Sequence, residues 1–371
     1  MVRTVRKQKW LTPKRLFALL GWLGMNFGLL LALVCLSGSV ATLTHEIEWL
    51  ADPALRIDAE GPVRWQATYE ALQAAYPEHS IGGFGQSESA VFEGLAWSSN
   101  VTDPDGAWGK VRVDPYRAEV VRPSTQLYLT HFVRMFHYRF SGLWGAGFYL
   151  VCFVAFPLLL SALSGLLFYK GWWKHLFTLR LRAGRRAFLS SLHRLLGVWT
   201  LLFGLIIGVT GGWYLVEKDI VPSEVAYQPA PELTPEAVDA HRPDLKKKSL
   251  DELVAAARKA YPELHPTAIY LSDEPEGTVT VQGQVEGRWL VRDRANAVFL
   301  NPYDASVVGL RKSDQDGALN RWVHAADGLH FGYWGGLASK LLWALLGLCL
   351  PVLELAGAWL SLRRAGVIGP A

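Results

Sequence analysis

Charged side chains are scarce in this chain. Asp, Glu, Lys and Arg together make up 19% of its 371 residues, against 51% hydrophobic types, a balance that excludes an ordinary soluble globule and points to a membrane protein with soluble parts. Cysteine is nearly absent. Cys35, Cys152 and Cys349 all fall in apolar runs, where a thiol behaves as a small hydrophobe. No disulfide framework and no CxxCH haem attachment can therefore be built, and cysteine-based zinc sites lack their ligands. Glycine is plentiful but never spaced as GxGxxG, so the fingerprint for NAD or FAD is missing.

Four apolar stretches are present, near Leu16 to Leu43, Leu143 to Tyr169, Leu195 to Val216 and Leu337 to Leu362. Each reaches the roughly 20 helical residues needed to cross a hydrocarbon core. Trp49, Trp144, Trp172, Trp173, Trp213 and Trp334 flank them, as suits amphipathic rings at headgroup depth. The first stretch is longer than the roughly 7 to 15 residues of a signal core, which makes it an uncleaved anchor. Basic residues gather at the start (VRTVRKQKW), between the second and third stretches (KGWWKHLFTLRLRAGRR) and at the end (LRR). Lys and Arg near span ends stay on the cytoplasmic side, so both termini are expected inside and the two long connections outside. The chain then divides into 1–44 (cytoplasmic N-terminus and first helix), 45–130 (first outer domain), 131–175 (second helix with flanks), 176–216 (cytoplasmic loop and third helix), 217–323 (second outer domain) and 324–371 (fourth helix and cytoplasmic C-terminus).

The two outer segments repeat each other. RWQATYEALQAAYPE (64–78) parallels LDELVAAARKAYPE (250–263), an amphipathic helix ending at Tyr-Pro. VRVDPYRAEVV (111–121) parallels VFLNPYDASVV (298–308), two strands joined by an Asp/Asn-Pro-Tyr turn. LLG and FG recur in the first and third spans, at Leu19–Gly21 with Phe27, Gly28 and at Leu195–Gly197 with Phe203, Gly204. The expected fold is membrane α+β, internally duplicated: helix, small α+β outer domain, helix, twice over.

Seven of ten histidines sit at span ends: His45, His131, His137, His324 and His330 outside, His175 and His193 inside. His79, His241 and His265 read as solvated. Neutral imidazole is a good ligand for haem iron, zinc and copper. HFVRMFH (131–137) and HAADGLH (324–330) share a six-residue spacing, which turns the second ring about 240° from the first on a helix. A metal is then better shared across helices, His137 facing His330, than within one. Gly142, Gly145 and Gly147 follow His137, and Gly332, Gly335 and Gly336 follow His330; they read equally as room for a haem or as close helix packing. A continuous helix from His137 to His175 would be about 57 Å long, which separates an outer and an inner site widely. Glu354 is the one clear carboxylate inside a span, a proton carrier or a hydrogen-bonding partner near Pro351.

THEIEWLADPALR (44–56), VDPYRAEVV, LNPYDASVVG, SGLLFYKGWW (164–173), LHRLLGVW (192–199) and LHFGYWGGLASKLLWALLGL (329–348) together resemble the PepSY-associated transmembrane proteins, a group that includes bacterial inner-membrane ferric-siderophore reductases. The resemblance implies two periplasmic PepSY-like domains, one or two b-type haems, and electron delivery to a ferric siderophore, with iron release for uptake. It implies His137, His193 and His330 as leading haem ligands, with His45 next. Where many relatives resemble HRWLG at the first span, this chain has Phe17 in KRLFALLG, which leaves His175 as the partner for an inner site. Electrons would come from quinol or a redox partner protein, and no nucleic-acid partner is expected. Two other readings stand beside this oxidoreductase: a non-enzymatic PepSY module that binds peptides or regulates a protease, and a periplasmic metal-handling protein using the outer histidines.

Overall fold

A computed structural model describes residues 13–126, 128–140, 144–168, 171–226, 228–239, 246–288 and 290–367. Its helices are α1 (Pro13–Thr42), α2 (Thr44–Ala51), α3 (Trp65–Ala75), α4 (Leu129–Arg139), α5 (Trp144–Phe168), α6 (Arg185–Trp199), α7 (Leu201–Asp219), α8 (Ser223–Ala226), α9 (Pro235–Asp239), α10 (Leu250–Ala260), α11 (Ala318–Phe331) and α12 (Gly336–Arg364). Its strands are β1 (Ser80–Gly85), β2 (Trp97–Thr102), β3 (Trp108–Asp114), β4 (Glu119–Thr125), β5 (Leu264–Tyr270), β6 (Val279–Val285), β7 (Ala297–Leu300) and β8 (Val307–Arg311). The chain forms two compact units, one of residues 1–42, 133–216 and 341–371, the other of residues 43–132 and 217–340.

The first unit is helical. Among the described residues, four helical segments are long and apolar enough to cross a membrane: Gly21–Thr42, Gly145–Leu167, Leu201–Asp219 and Tyr333–Arg364. With little hydrophobic drive between helices in lipid, small residues and interhelical hydrogen bonds decide the packing. Gly208 on α7 lets Leu159 of α5 approach so closely that an added Cβ would lie 2.9 Å from the leucine Cβ. Gly347 on α12 meets Ser39 of α1, and Gly28 of α1 meets the Glu354 carboxylate of α12. Phe27 packs on Phe153 and Phe203 on Trp343. The third span expected from Leu195 onward is divided: α6 ends at Trp199, Thr200 hydrogen-bonds its hydroxyl back to the Leu196 carbonyl (2.8 Å), and α7 begins at Leu201. Such back-bonding bends helices. The expected rod from His137 to His175 is also broken, because α4 stops at Arg139, α5 starts only at Trp144 and ends at Phe168.

The second unit is built on one sheet, with α3 and α10 packed on it. Eight antiparallel strands follow the order β4-β3-β2-β1-β5-β6-β7-β8, so residues 80–125 and 264–311 each supply half of one sheet. The seam is β1 against β5, with Phe84 opposite Ile269. The sequence SIGGFG makes that seam possible. A Cβ on Gly83 (φ +117) would lie 2.1 Å from the Ile269 carbonyl oxygen, and one on Gly85 would lie 2.2 Å from the Ala268 Cβ. Helices α3 and α10 lay Trp65, Leu72, Leu253, Val254 and Ala257 on the buried Phe84, Trp97, Val111, Val281 and Val298. A full capping box, Ser249 with Glu252, starts α10.

The two Asp/Asn-Pro-Tyr turns adopt the same local geometry. Asp114 Oδ1 accepts from the Tyr116 N–H (2.9 Å) and Asn301 Oδ1 from the Tyr303 N–H (2.9 Å). The residue two beyond each tyrosine is a left-handed alanine, Ala118 at φ +60 and Ala305 at φ +62. The proline carbonyls accept from Arg64 N–H (2.9 Å) and Lys248 N–H (2.7 Å), just before α3 and α10.

Candidate functional site

Two of the predicted histidines occupy matching notches in the helical unit. His137, on α4, donates Nδ1–H to the Val34 carbonyl of α1 at 3.0 Å, with the Ser37 hydroxyl 3.2 Å from the same nitrogen. Gly38, one turn on, supplies the floor: a Cβ there would lie 2.8 Å from His137 Cε1. His193, on α6, donates Nδ1–H to the Leu353 carbonyl of α12 at 2.9 Å. Gly357, again one turn on, is its floor, with a Cβ position 3.0 Å from His193 Cε1. Residues i and i+4 of a helix lie one above the other on the same face, so one helix supplies both the acceptor and the gap.

This geometry fixes chemistry as well as position. A carbonyl can only accept, so Nδ1 carries the proton and Nε2 is the lone-pair nitrogen in the neutral ring. Metal-ligating histidines have this arrangement, with the non-ligating N–H held by a carbonyl or carboxylate. The contact of Ser39 with Gly347 sets the levels of α1 and α12. The middle of the His137 notch lies three residues from Ser39 and that of the His193 notch eight residues from Gly347, so the two are about 8 Å apart along the helix axes at 1.5 Å per residue. Glu354 sits on the same turn of α12 as the His193 notch and packs on Gly28.

The other candidates divide differently. His175 closes a short turn, Trp172–His175, and its side chain lies outside the described residues, as do the side chain of Phe17 and all of Gly142. His330 belongs to the sheet unit, in the last turn of α11, edge-on to Phe331 (5.7 Å). That turn ends where the sequence provides Gly332, left-handed at φ +74, whose N–H bonds the Gly328 carbonyl.

His45 is built into a buried polar network of the sheet unit. Its Nε2 lies 3.0 Å from the Ser87 hydroxyl and 3.1 Å from that of Ser89, and Nδ1 lies 3.9 Å from Glu48. Glu48 accepts from Arg112 (2.6 Å) and from the Thr130 backbone N–H (2.8 Å). Lys340, 1% exposed, pairs with Glu46 and donates to the Ser89 carbonyl (2.9 Å). Between the two serines, Glu88 accepts from Arg292 (3.0 Å), which also pairs with Asp327.

His131 packs on the rings of Trp108 (5.0 Å) and Tyr128 (5.5 Å), and burial with the nearby Lys110 lowers its affinity for a proton. His324 is 2% exposed, with Nε2 3.6 Å from Asp316. Burial, reinforced by Arg294, Arg292 and Arg311, pushes its imidazole down to about 3. Asp293 goes the other way, up to about 6, through burial and the Glu88 charge.

The sequence singles out His137 and His193 as candidates but not the groups that hold them. The glycines it points to follow His137 and His330 in the chain, whereas the notches come from VCLSG (34–38) of α1 and LELAG (353–357) of α12. No linear signal links residues 137 and 34, or 193 and 353. Lys340 was also missed, although a lone lysine in GGLASKLLWALL is the kind of intramembrane charge that signals a partner. Among the described residues, no group of three or more His, Cys, Asp or Glu side chains is placed to hold a bare metal ion.

No curated protein matches the chain. A family described as "PepSY-associated TM region" matches residues 21–364, which takes in all four apolar helices and the whole sheet. The chain is a membrane protein and belongs to the PepSY-associated transmembrane family.

Proposed function

We propose that this protein is a haem-b-containing reductase of the bacterial inner membrane, which passes electrons from quinol or a redox partner to a ferric siderophore on the periplasmic side. The observation that carries the reading is the pair of notches. Two imidazoles at different depths are fixed in the tautomer an iron centre requires, each over a glycine that keeps the ring at the helix surface. Helix packing alone needs neither a shared tautomer nor a repeated carbonyl-and-glycine frame.

His137 and His193 would each hold one haem. A haem so bound supplies one-electron transfer. Val34, Ser37 and Leu353 hold Nδ1, which leaves the ring lone pair on Nε2. The apolar helices would keep water from the bound group, and Glu354 is the mid-span carboxylate that would hold a proton. The basic inner loop supports cytoplasmic termini and a periplasmic sheet, and the matched turns at Asp114 and Asn301 support an internal duplication. Siderophores hold ferric iron through hard oxygen donors, and reduction to the softer, less charged ferrous ion weakens that hold.

The test is a single turnover. Protein purified in detergent, reduced and freed of reductant, is mixed without oxygen with a ferric hydroxamate and a chromogenic ferrous chelator. The reading expects ferrous complex to form in proportion to protein. Protein that stays reduced while the ferric chelate persists would overturn it.

A further inference from the structure

Between residues 170 and 186 the chain has six Lys or Arg and no Asp or Glu, and no carboxylate at all occurs from residue 120 to 216. Within this same loop, apolar side chains face outward: Phe177 is 85% exposed, Leu181 72% and Trp173 57%. Large apolar groups left open on a soluble surface carry a cost in water, and a patch rimmed by charge marks an interaction surface. The patch is built rather than frayed. The Leu176 carbonyl accepts from Trp199 Nε1 (2.8 Å), the Arg180 N–H donates to the Ser191 hydroxyl (3.0 Å), and Phe177 meets Trp199 edge-on. These contacts lay residues 176–180 along α6, with Phe177 touching the helix only at Trp199, and leave Phe177 and Leu181 largely open.

Cations alternate with the apolar groups. Lys174, Arg180, Arg182 and Arg186 are exposed, and Arg185 and Arg363 both cover the ring of Trp359, near the end of α12. The loop joins the ends of two membrane-crossing segments, so its neighbour is the headgroup layer. Long basic side chains over a partly apolar body match that layer: the rings and leucines reach the acyl boundary while guanidinium groups meet phosphate.

We infer that residues 173–186 form a binding surface for anionic phospholipid headgroups, with Trp173, Phe177 and Leu181 inserted beneath the phosphates and the arginines paired to them. Each basic residue at an anionic surface strengthens attachment about fivefold. The arginines thus convert weak apolar contact into stable docking that depends on lipid charge. The inference is independent of any haem.

Full-length protein carrying Thr178→Cys, with Cys35, Cys152 and Cys349 changed to Ala, is spin-labelled and placed in nanodiscs of phosphatidylcholine with or without phosphatidylglycerol. Phosphatidylglycerol should cut collisions with a water-soluble nickel chelate several-fold and raise collisions with oxygen. Arg180→Gln, Arg182→Gln and Arg186→Gln together should erase that dependence on lipid charge. Phe177→Ser with Leu181→Ser should lower oxygen contact in both lipids. Equal accessibility in the two lipids would overturn the inference, and this comparison stands even if a variant fails to fold. So would displacement by soluble glycerol phosphate, or shielding that arises only when an acidic protein is added.

Discussion

Filling the two glycine notches isolates what they do. Gly38→Ala places a methyl group 2.8 Å from His137 Cε1, and Gly357→Ala one 3.0 Å from His193 Cε1. Carbon atoms pack at about 3.5–4.0 Å, so the rings must retreat by at least about 0.7 and 0.5 Å. The Nδ1 bonds, now 3.0 and 2.9 Å, then open beyond about 3.2 Å, past the usual hydrogen-bond range. Loss of such support to a ligating imidazole costs about 10–100-fold in affinity for the bound centre. Gly24 provides the control, since it lies on α1 and a Cβ there meets nothing within 4 Å. Each Gly→Ala change also adds about 1 kcal/mol of helix propensity, against about 1–3 kcal/mol for the overpacked ring, so a thermal melt of each variant accompanies its titration. Haem is titrated into apoprotein and followed by its Soret band. Gly38→Ala and Gly357→Ala should each weaken binding while Gly24→Ala does not, and three indistinguishable titrations would refute the reasoning.

Three further outcomes follow from the sheet unit. Ala118→Gly and Ala305→Gly relieve left-handed alanines, a strain of about 1–2 kcal/mol partly offset by glycine's entropy. Each should raise the unfolding free energy by about 0.5–1 kcal/mol, read as a higher denaturant midpoint, and a drop would show that the turn needs its methyl group. Lys340→Met leaves the partly buried Glu46 without its buried partner and should cost up to about 3 kcal/mol, whereas Lys340→Met with Glu46→Leu should recover most of it; thermal melts separate the two. His324, at about 3 when folded, takes up its proton in the unfolded chain first, so its share of stability is full above pH 6.5 and falls as pH drops toward 3. The slope is up to about 1.4 kcal/mol per pH unit. Asp293, at about 6, contributes the opposite slope between pH 3.8 and 6. The difference between wild type and His324→Gln therefore isolates the histidine, and parallel stability curves would exclude its burial as a neutral ring.

Much of the scaffold is legible in the sequence because it depends on local pattern. The apolar stretches give the four crossing segments, and Tyr-Pro after a helical period ends α3 and α10. Asp114 and Asn301 set their turns through bonds only two residues away. The seam of the sheet was not legible, because Gly83 and Gly85 look like a weak strand until β5 lies beside them. The notches were hidden for the same reason. Their acceptors are backbone carbonyls 103 and 160 residues from the rings they hold, and a carbonyl has no sequence signature. His45 illustrates the reverse case, since at a span end it resembles a ligand while Ser87, Ser89 and Glu48 surround it.

The central claim is that His137 and His193 each present Nε2 to an iron porphyrin inside the bundle. A reduced-minus-oxidised absorbance spectrum of the purified protein, beside His137→Ala and His193→Ala, tests it most directly. Sharp α and β bands in the wild type, with part of the haem lost in each variant, is the result the account predicts. A folded but colourless protein, or full haem content in both variants, would contradict it.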